Sequence, residues 1–147
     1  MQNSVLFYLF KYPKFTIQIY YMKILVVDDE QDMQTLFEQK FRKEIKEGIV
    51  QFAFATSGEE ALAYMNTNSQ EAVLILSDIN MPGMSGLQLL EQIKQHYHTP
   101  PPVVMMITAY GDDDNYQYAM KLGADDFLTK PVNFALLKEK LKIPTHG

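Results

Sequence analysis

The chain has 147 residues, of which 47% are hydrophobic and 21% charged, and its 13 basic and 18 acidic side chains give a formal net charge of −5. This size and composition are typical of one folded globular domain and exclude a disordered chain. Because the sequence has no cysteine, it excludes a disulfide framework, a thiolate zinc site and a thiol nucleophile, and it favours a cytoplasmic location.

Charge is distributed unevenly between the first 21 residues and the rest of the chain. Lys11 and Lys14 are the only charged side chains in residues 1–21. Residues 22–147 therefore contain the other 11 of the 13 basic residues and all 18 acidic ones, and they carry a net charge of −7. This acidic part lacks the clustered lysines and arginines of a nucleic-acid-binding surface, so we expect no direct nucleic-acid partner.

Residues 1–21 also differ in their apolar pattern. Their apolar run is interrupted by Lys11, Pro13 and Lys14, unlike the roughly 20 apolar residues of a membrane-spanning helix. A secretory signal is not indicated either, because it would begin with basic residues and end in a small-residue cleavage site. We expect an N-terminal extension outside the fold, upstream of a natural start at Met22, and no membrane partner. An extra strand in the β-prone TIQIYY stretch is the alternative.

From Met22 onwards the sequence alternates short apolar runs with segments of helical spacing. In chain order these predict a strand over 23–27, a helix over 30–47, a strand over 51–55, a helix from Ser57 to about Met65, a strand over 73–77 and a helix after Ser85. A strand over 103–108, a helix over 112–122, a strand over 126–129 and a helix after Pro131 complete the series. Strands that are apolar throughout are buried on both faces, which predicts an α/β fold with a doubly wound parallel sheet.

Five polar side chains stand where predicted strands end. They are Asp28, Asp29, Asp78, Thr108 and Lys130. The carboxyl ends of parallel strands meet at one edge of the sheet, where ligands bind. Each residue alone fits a helix cap or a turn. Together they suit a phosphate site, because carboxylates hold Mg²⁺, lysine pairs with phosphate oxygens, and a carboxylate can form an aspartyl-phosphate.

The motifs around these residues resemble the receiver domain of two-component response regulators, of the single-domain chemotaxis type, over roughly residues 22–143, with 144–147 as a tail. The motifs are the acidic pair after KILVV, Asp78 in LSDINMPGMSG, Thr108-Ala109 after VVMMI, and Lys130-Pro131 in DDFLTKP. The resemblance implies a flavodoxin-like fold, in which a five-stranded parallel sheet of order 2-1-3-4-5 is flanked by five helices. It also implies a cis peptide bond between Lys130 and Pro131.

The resemblance further implies roles for the residues of the site. Asp78 is expected to be the phosphoacceptor, and Lys130 is expected to pair with the phosphoryl group. Mg²⁺ is the expected cofactor, bound by Asp29, Asp78 and the backbone carbonyl of Asn80. Asp28 is expected to act on the metal mainly through water.

The implied function is that of a phosphorylation-dependent signalling switch. A sensor histidine kinase or phosphotransfer protein would donate the phosphoryl group, Thr108 would hydrogen-bond it, and Phe127 matches the aromatic switch residue of the family. The face built by the fourth predicted helix, the fifth strand and the fifth helix would pass the signal to a downstream protein, and a homodimer is left open. The chain would assist its own phosphorylation and dephosphorylation and is not expected to be an enzyme.

Three alternatives make different demands on the residues. A phosphatase that uses an aspartyl-phosphate would carry a second acid two residues after Asp78, where this sequence has Asn80. A receiver-like interaction module that is not phosphorylated would lack some of the five residues at the strand ends, and all five are present. A receiver that is one part of a longer regulator stays open, because the same residues would serve in either protein.

Overall fold

The computed structural model describes residues 22–68, 73–98 and 102–143. The strands are β1 (Met22–Val27), β2 (Val50–Ala55), β3 (Val73–Asp78), β4 (Val103–Thr108) and β5 (Asp126–Thr129). The helices are α1 (Asp32–Lys40), α2 (Arg42–Lys46), α3 (Gly58–Thr67), α4 (Gly86–His96), α5 (Asp113–Lys121) and α6 (Phe134–Lys140). The expected N-terminal extension, its alternative as an extra strand, and the tail over 144–147 lie outside the described residues.

All five strands lie in one parallel sheet in the order β2-β1-β3-β4-β5. This confirms the predicted doubly wound α/β fold and the strand order implied by the family resemblance. Strand β1 lies between β2 and β3, and its last residue Val27 is level with Ala55 and with Ser77. The order of winding reverses between β1 and β3, and the carboxyl ends of these two strands form the edge at which such sheets bind ligands.

The sheet is covered by apolar side chains on both faces. Leu25 and Val27 of β1 pack into a core with residues of α3 and α4, whereas Ile24 and Val26 pack into a second core with residues of α1 and α6. All four side chains are at most 1% exposed. Successive residues of a strand point to opposite faces, so burial on both faces explains why residues 23–27 are apolar without alternation.

The predicted helix over 30–47 is bent into two shorter helices, so the chain has six helices in its described part and not five. The bend is at Phe41, whose backbone dihedrals of −109° and 20° leave the helical range. Hydrogen bonds from the Phe41 N–H to the Phe37 carbonyl and from the Ile45 N–H to the Phe41 carbonyl, both 2.9 Å, continue through it. The fully buried Phe41 ring packs edge-on against Phe52 at 4.9 Å, a tertiary contact that has no local sequence signal.

Helix starts and one peptide bond agree with the sequence analysis. The Ser57 hydroxyl accepts from the Glu60 N–H at 3.0 Å, and Ser85 and Gln88 form a reciprocal capping box. The peptide bond between Lys130 and Pro131 is cis, as the resemblance implied. Among the helices of the described residues, none is long and apolar enough to cross a membrane.

Candidate functional site

The register of the sheet brings the five predicted site residues to one edge. Asp78 is the last residue of β3 and is level with Ile107, so Thr108 stands one residue further along β4. Thr108 in turn is level with Thr129, which precedes Lys130. Asp28 and Asp29 follow the end of β1, the other neighbour of β3. The site is therefore built by the ends of four adjacent parallel strands.

Three carboxylates form a cluster at this edge. One carboxylate oxygen from each of Asp28, Asp29 and Asp78 lies within 4.8 Å of the other two. Asp28 and Asp78 are buried, with 4% and 1% exposure, whereas Asp29 is exposed. Like charges this close repel each other, and a hard divalent cation with oxygen ligands would relieve that repulsion.

Asp28 has one carboxylate oxygen with a partner and one without. Its Oδ1 accepts a hydrogen bond from the Glu30 N–H at 2.8 Å, and its Oδ2 is buried without a partner. The residue does not cap α1, whose first turn follows Gln31 without any side-chain cap. Burial raises the pKa of the Asp28 carboxyl, the Glu30 N–H opposes this, and the charge on Asp78 adds to the rise. An unpaired buried oxygen beside two carboxylates fits a metal ligand.

Asp78 is paired with a lysine across the site. The Lys130 Nζ donates to Asp78 Oδ2 at 2.6 Å, and the two side chains are 36% and 2% exposed, respectively. The other oxygen, Oδ1, accepts from the Asn80 N–H at 3.2 Å. Burial lowers the pKa of Lys130, but the hydrogen bond to Asp78 and the charges of Asp78, Asp28 and Glu30 outweigh it, so the net direction is upwards. Lys130 is therefore a stable positive charge that partly neutralises the cluster.

Thr108 and Phe127, the expected switch residues, lie on neighbouring strands. The buried Thr108 hydroxyl donates to the Leu128 carbonyl at 3.5 Å, the outer limit of hydrogen-bond length. Phe127 is half-buried, and its ring centroid lies 4.3 Å from that of Tyr116 on α5. The Thr108 hydroxyl is thus held by a long, weak hydrogen bond.

Two residues of this region were not singled out in the sequence. The Glu30 N–H donates to Asp28, and the Glu30 charge helps to raise the pKa of Lys130. The hydrogen bond could have been expected from the position of Glu30 two residues after Asp28, since an aspartate side chain often bonds the backbone two residues on. Glu59 of α3 accepts a hydrogen bond from the Met84 N–H at 3.0 Å, in the loop that follows Asp78. Glu59 and Met84 are 25 positions apart, and nothing in the sequence signals this contact.

The buried charge of Asp28 leads to a prediction about stability. We expect Asp28→Asn to stabilise the metal-free protein at neutral pH by about 1 kcal/mol, or about 4 °C in Tm. The substitution removes a buried charge, and the amide oxygen still accepts from the Glu30 N–H. Because the folded-state pKa of Asp28 is raised, the cost of its charge is absent below the unfolded pKa of about 3.9 and complete above the folded value.

Thermal unfolding in EDTA checks this prediction. The gain from Asp28→Asn should shrink as the pH falls towards about 4, and it should shrink when Mg²⁺ is added, because the substitution weakens the contact that Asp28 is expected to make with the metal through water. Asp114→Asn is the matched control, since Asp114 is exposed and lies outside the carboxylate cluster, and its change should stay within about 0.5 kcal/mol. A lower Tm of Asp28→Asn than of the wild type in EDTA at neutral pH would contradict the argument.

Sequence comparison finds a family and relatives of different lengths. Residues 24–142 match the family described as the response regulator receiver domain. The chain is 32% identical over 122 residues to the chemotaxis protein CheY1 of Helicobacter pylori, which covers 83% of this chain and 95% of that protein. Three other curated relatives are longer, and the chain spans only 15%, 49% and 44% of their lengths.

Solved structures with the same fold are also found. One is a response regulator receiver domain protein from Clostridium thermocellum, with 30% identity, a TM-score of 0.66 and coverage of 83% of this chain and 99% of that chain. Another is the receiver domain of the response regulator Ssk1 of Saccharomyces cerevisiae, co-crystallised with the histidine phosphotransfer protein Ypd1. It has 25% identity, a TM-score of 0.70 and coverage of 84% of this chain and 88% of that chain.

Proposed function

Because the chain belongs to the response regulator receiver domain family, whose members are signalling modules, we propose that Asp78 is the phosphoacceptor of a phosphorylation-dependent switch. The observation that carries this assignment is the position of the Asp78 carboxylate. It lies at the end of the central strand β3, within 4.8 Å of carboxylate oxygens of Asp28 and Asp29, and 2.6 Å from the Lys130 ammonium. A carboxylate that attacks a negatively charged phosphoryl group is favoured by this combination of a cation site and a fixed positive charge.

The proposed chemistry is transfer of a phosphoryl group between two side chains. A carboxylate oxygen of Asp78 attacks the phosphorus of a donor phosphohistidine, an O–P bond forms, the N–P bond breaks, and the imidazole leaves. Water later attacks the aspartyl-phosphate, which releases inorganic phosphate and restores the carboxylate. Positioning and charge neutralisation supply most of the catalysis in such transfers. The chain thereby assists its own phosphorylation and dephosphorylation and does not act on a separate substrate.

We propose Mg²⁺ as the cofactor, held by Asp28 (mainly through water), Asp29, Asp78 and the backbone carbonyl of Asn80. The support is the unpartnered buried Oδ2 of Asp28 within a cluster of hard oxygen ligands. When bound there, Mg²⁺ supplies positive charge for the phosphoryl oxygens. Lys130 already bonds the carboxylate that is to be modified, and in the phosphorylated protein its ammonium would pair with a phosphoryl oxygen.

The proposed readout is a population shift on the face formed by α5, β5 and α6. Thr108 would exchange its 3.5 Å hydrogen bond to the Leu128 carbonyl for one to the phosphoryl group. Phe127 precedes Leu128 on β5, so movement of Thr108 would bias the position of the Phe127 ring. Such a switch needs two arrangements of similar energy, and the weak Thr108 hydrogen bond supports that requirement.

Partners are proposed by class. A histidine kinase or phosphotransfer protein would donate the phosphoryl group, by analogy with the Ssk1 receiver domain, which was crystallised with the phosphotransfer protein Ypd1. A downstream protein would bind the face formed by α5, β5 and α6.

We propose that residues 22–143 form the receiver, with 1–21 as an extension outside it and 144–147 as a tail. Because several relatives are longer than this chain, a role as one part of a longer regulator is the alternative, and the cytoplasmic location stays a prediction.

The proposed function is tested with the purified full chain, Mg²⁺ and a small phosphodonor such as acetyl phosphate. We expect intact mass to show one added phosphoryl group per chain, with faster addition in Mg²⁺ than in EDTA. Sedimentation before and after phosphorylation tests whether the switch controls dimerisation. A folded protein that takes up no phosphoryl group in Mg²⁺ would overturn the proposal.

A further inference from the structure

The loop over 79–85, between Asp78 and α4, carries Asn80, whose backbone is a proposed metal ligand. Both ends of this loop are held close to β3. The Asn80 N–H donates to Asp78 Oδ1 at 3.2 Å, and the Gly86 N–H donates to the Ile79 carbonyl at 2.8 Å. Gly86 is required for this closure, because a Cβ there would lie 2.0 Å from the Asp78 carbonyl oxygen. At Gly83 and Met84, near its second end, the loop is held by a different element, α3.

Glu59, in the first turn of α3, makes the hydrogen bond to the loop at Met84. Its Oε1 accepts from the Met84 N–H at 3.0 Å. A Cβ built on Gly83 would lie 3.5 Å and 3.7 Å from the two Glu59 carboxylate oxygens, so the carboxylate also lies alongside the loop at Gly83. A hydrogen bond from an N–H to an ionised carboxylate is stronger than one between neutral groups.

Gly58, the first residue of α3 and the neighbour of Glu59, leaves room for the Met84 side chain. A Cβ on Gly58 would lie 2.8 Å from the Met84 Sδ and 3.0 Å from the Met84 Cβ. The Met84 Cβ is fixed to the backbone, so any side chain at position 58 would displace the loop itself. The start of α3 therefore offers Met84 both an acceptor for its N–H and a space for its side chain.

We propose that Glu59 is a positioning residue of the phosphorylation site, which acts by fixing the loop over 79–85 through the Met84 N–H. Without this contact the loop remains attached at the Asn80 N–H and at the Gly86 N–H, but the segment between these attachments, which begins with the Asn80 carbonyl, is less well ordered. The inference rests on the proposed function and concerns how the metal site is kept in its binding geometry. Groups that orient metal ligands without touching the metal commonly change affinity by about 10-fold or more.

A neighbouring glutamate provides a control that distinguishes the loss of the hydrogen bond to the loop from the loss of negative charge. Removing any acidic side chain near the site weakens cation binding by reducing the negative charge. Glu60 stands in the same turn of α3 and is exposed, as Glu59 is, but its Oε2 accepts from the Thr56 hydroxyl at 2.9 Å. Glu59→Ala and Glu60→Ala therefore change the net charge equally, and only the first removes the acceptor of the Met84 N–H.

The experiment measures Mg²⁺ affinity of the full chain by calorimetry, with thermal unfolding in EDTA to verify folding. We expect Glu59→Ala to weaken Mg²⁺ binding by about 10-fold and Glu60→Ala to weaken it much less. Glu59→Gln should recover most of the affinity, because the carboxamide oxygen still accepts a hydrogen bond. Amide hydrogen exchange in metal-free protein should be faster at Met84 in Glu59→Ala and unchanged at Met84 in Glu60→Ala.

Gly58→Ala tests whether displacing Met84, with Glu59 left in place, also weakens Mg²⁺ binding. Alanine is a better helix residue than glycine, so α3 should not be weakened, but the added Cβ displaces Met84 and should lower Mg²⁺ affinity. Equal affinities of Glu59→Ala and Glu60→Ala, or a Glu59→Gln variant as weak as Glu59→Ala, would overturn the positioning role. Failure of the proposed function is a separate result, seen as a wild type that takes up no phosphoryl group.

Discussion

Asp78→Ala is expected to abolish phosphoryl incorporation from a small phosphodonor in Mg²⁺. The substitution removes the only carboxylate that is buried at the end of β3 and bonded to Lys130 within the described residues. Asp28 is also buried, but its Oδ1 accepts from the Glu30 N–H, it has no bond to Lys130, and its proposed role is to hold the metal. Because alanine has no oxygen that could form the bond to phosphorus, we expect phosphoryl incorporation to be lost completely and not merely slowed.

Intact mass after incubation with acetyl phosphate and Mg²⁺ measures this result. Asp113→Ala, which changes an exposed aspartate in the first turn of α5, is the matched control and should still take up one phosphoryl group per chain. Circular dichroism of both variants verifies that they are folded. If Asp78→Ala retained one phosphoryl group per chain, another residue would be the phosphoacceptor and the assignment would be wrong.

Lys130→Ala is expected to keep Mg²⁺ binding but to uncouple phosphorylation from the switch. The Lys130 ammonium pairs with Asp78 at 2.6 Å, and after phosphorylation it would hold the phosphoryl oxygen in a fixed place. Without it, the phosphoryl group has no direct ionic link to β5. We therefore expect the phosphorylation-dependent change in amide exchange of α5, β5 and α6 to be lost, and an unchanged response would contradict this role.

The same substitution should lower the stability of the metal-free protein. Asp78 is 2% exposed at its side chain and would lose its cationic partner while two other carboxylates lie close by. Since a third of Lys130 is exposed to solvent, we expect a loss of about 1–3 kcal/mol, less than for a fully buried pair. Lys140→Ala is the control, because Lys140 pairs at 3.0 Å with the more exposed Asp126 and should cost at most about 1 kcal/mol.

The pH dependence of this loss follows from the raised pKa of Lys130. The stabilisation from its charge is complete below the unfolded pKa of about 10.4 and is lost as the pH rises through the higher folded value. Urea unfolding in EDTA should therefore show a constant difference between wild type and Lys130→Ala from neutral pH to about 9. The difference should shrink only at more alkaline pH, and a decline at neutral pH would exclude the Lys130 charge as its source.

The strands and their order were accessible from the sequence because burial leaves a direct pattern. Strand β1 is covered by apolar cores on both faces, so residues 23–27 are apolar without a break, and the motifs at the strand ends identified the family and with it the strand order. The bend at Phe41 was not accessible. The Phe41 ring packs against Phe52, a residue distant in sequence, and no glycine or proline marks the place.

The sequence by itself determined which residues meet at the site, since residues that follow parallel strands must gather at one edge of the sheet. Only the tertiary structure decided how they are bonded. In the folded chain Asp28 Oδ1 accepts from the Glu30 N–H while Oδ2 has no partner, and the Lys130 Nζ donates to Asp78. The tertiary structure also brought Glu59 to Met84, 25 residues away. Spacing along a chain specifies the ends of strands, but individual hydrogen bonds depend on side-chain packing between elements that are distant in sequence.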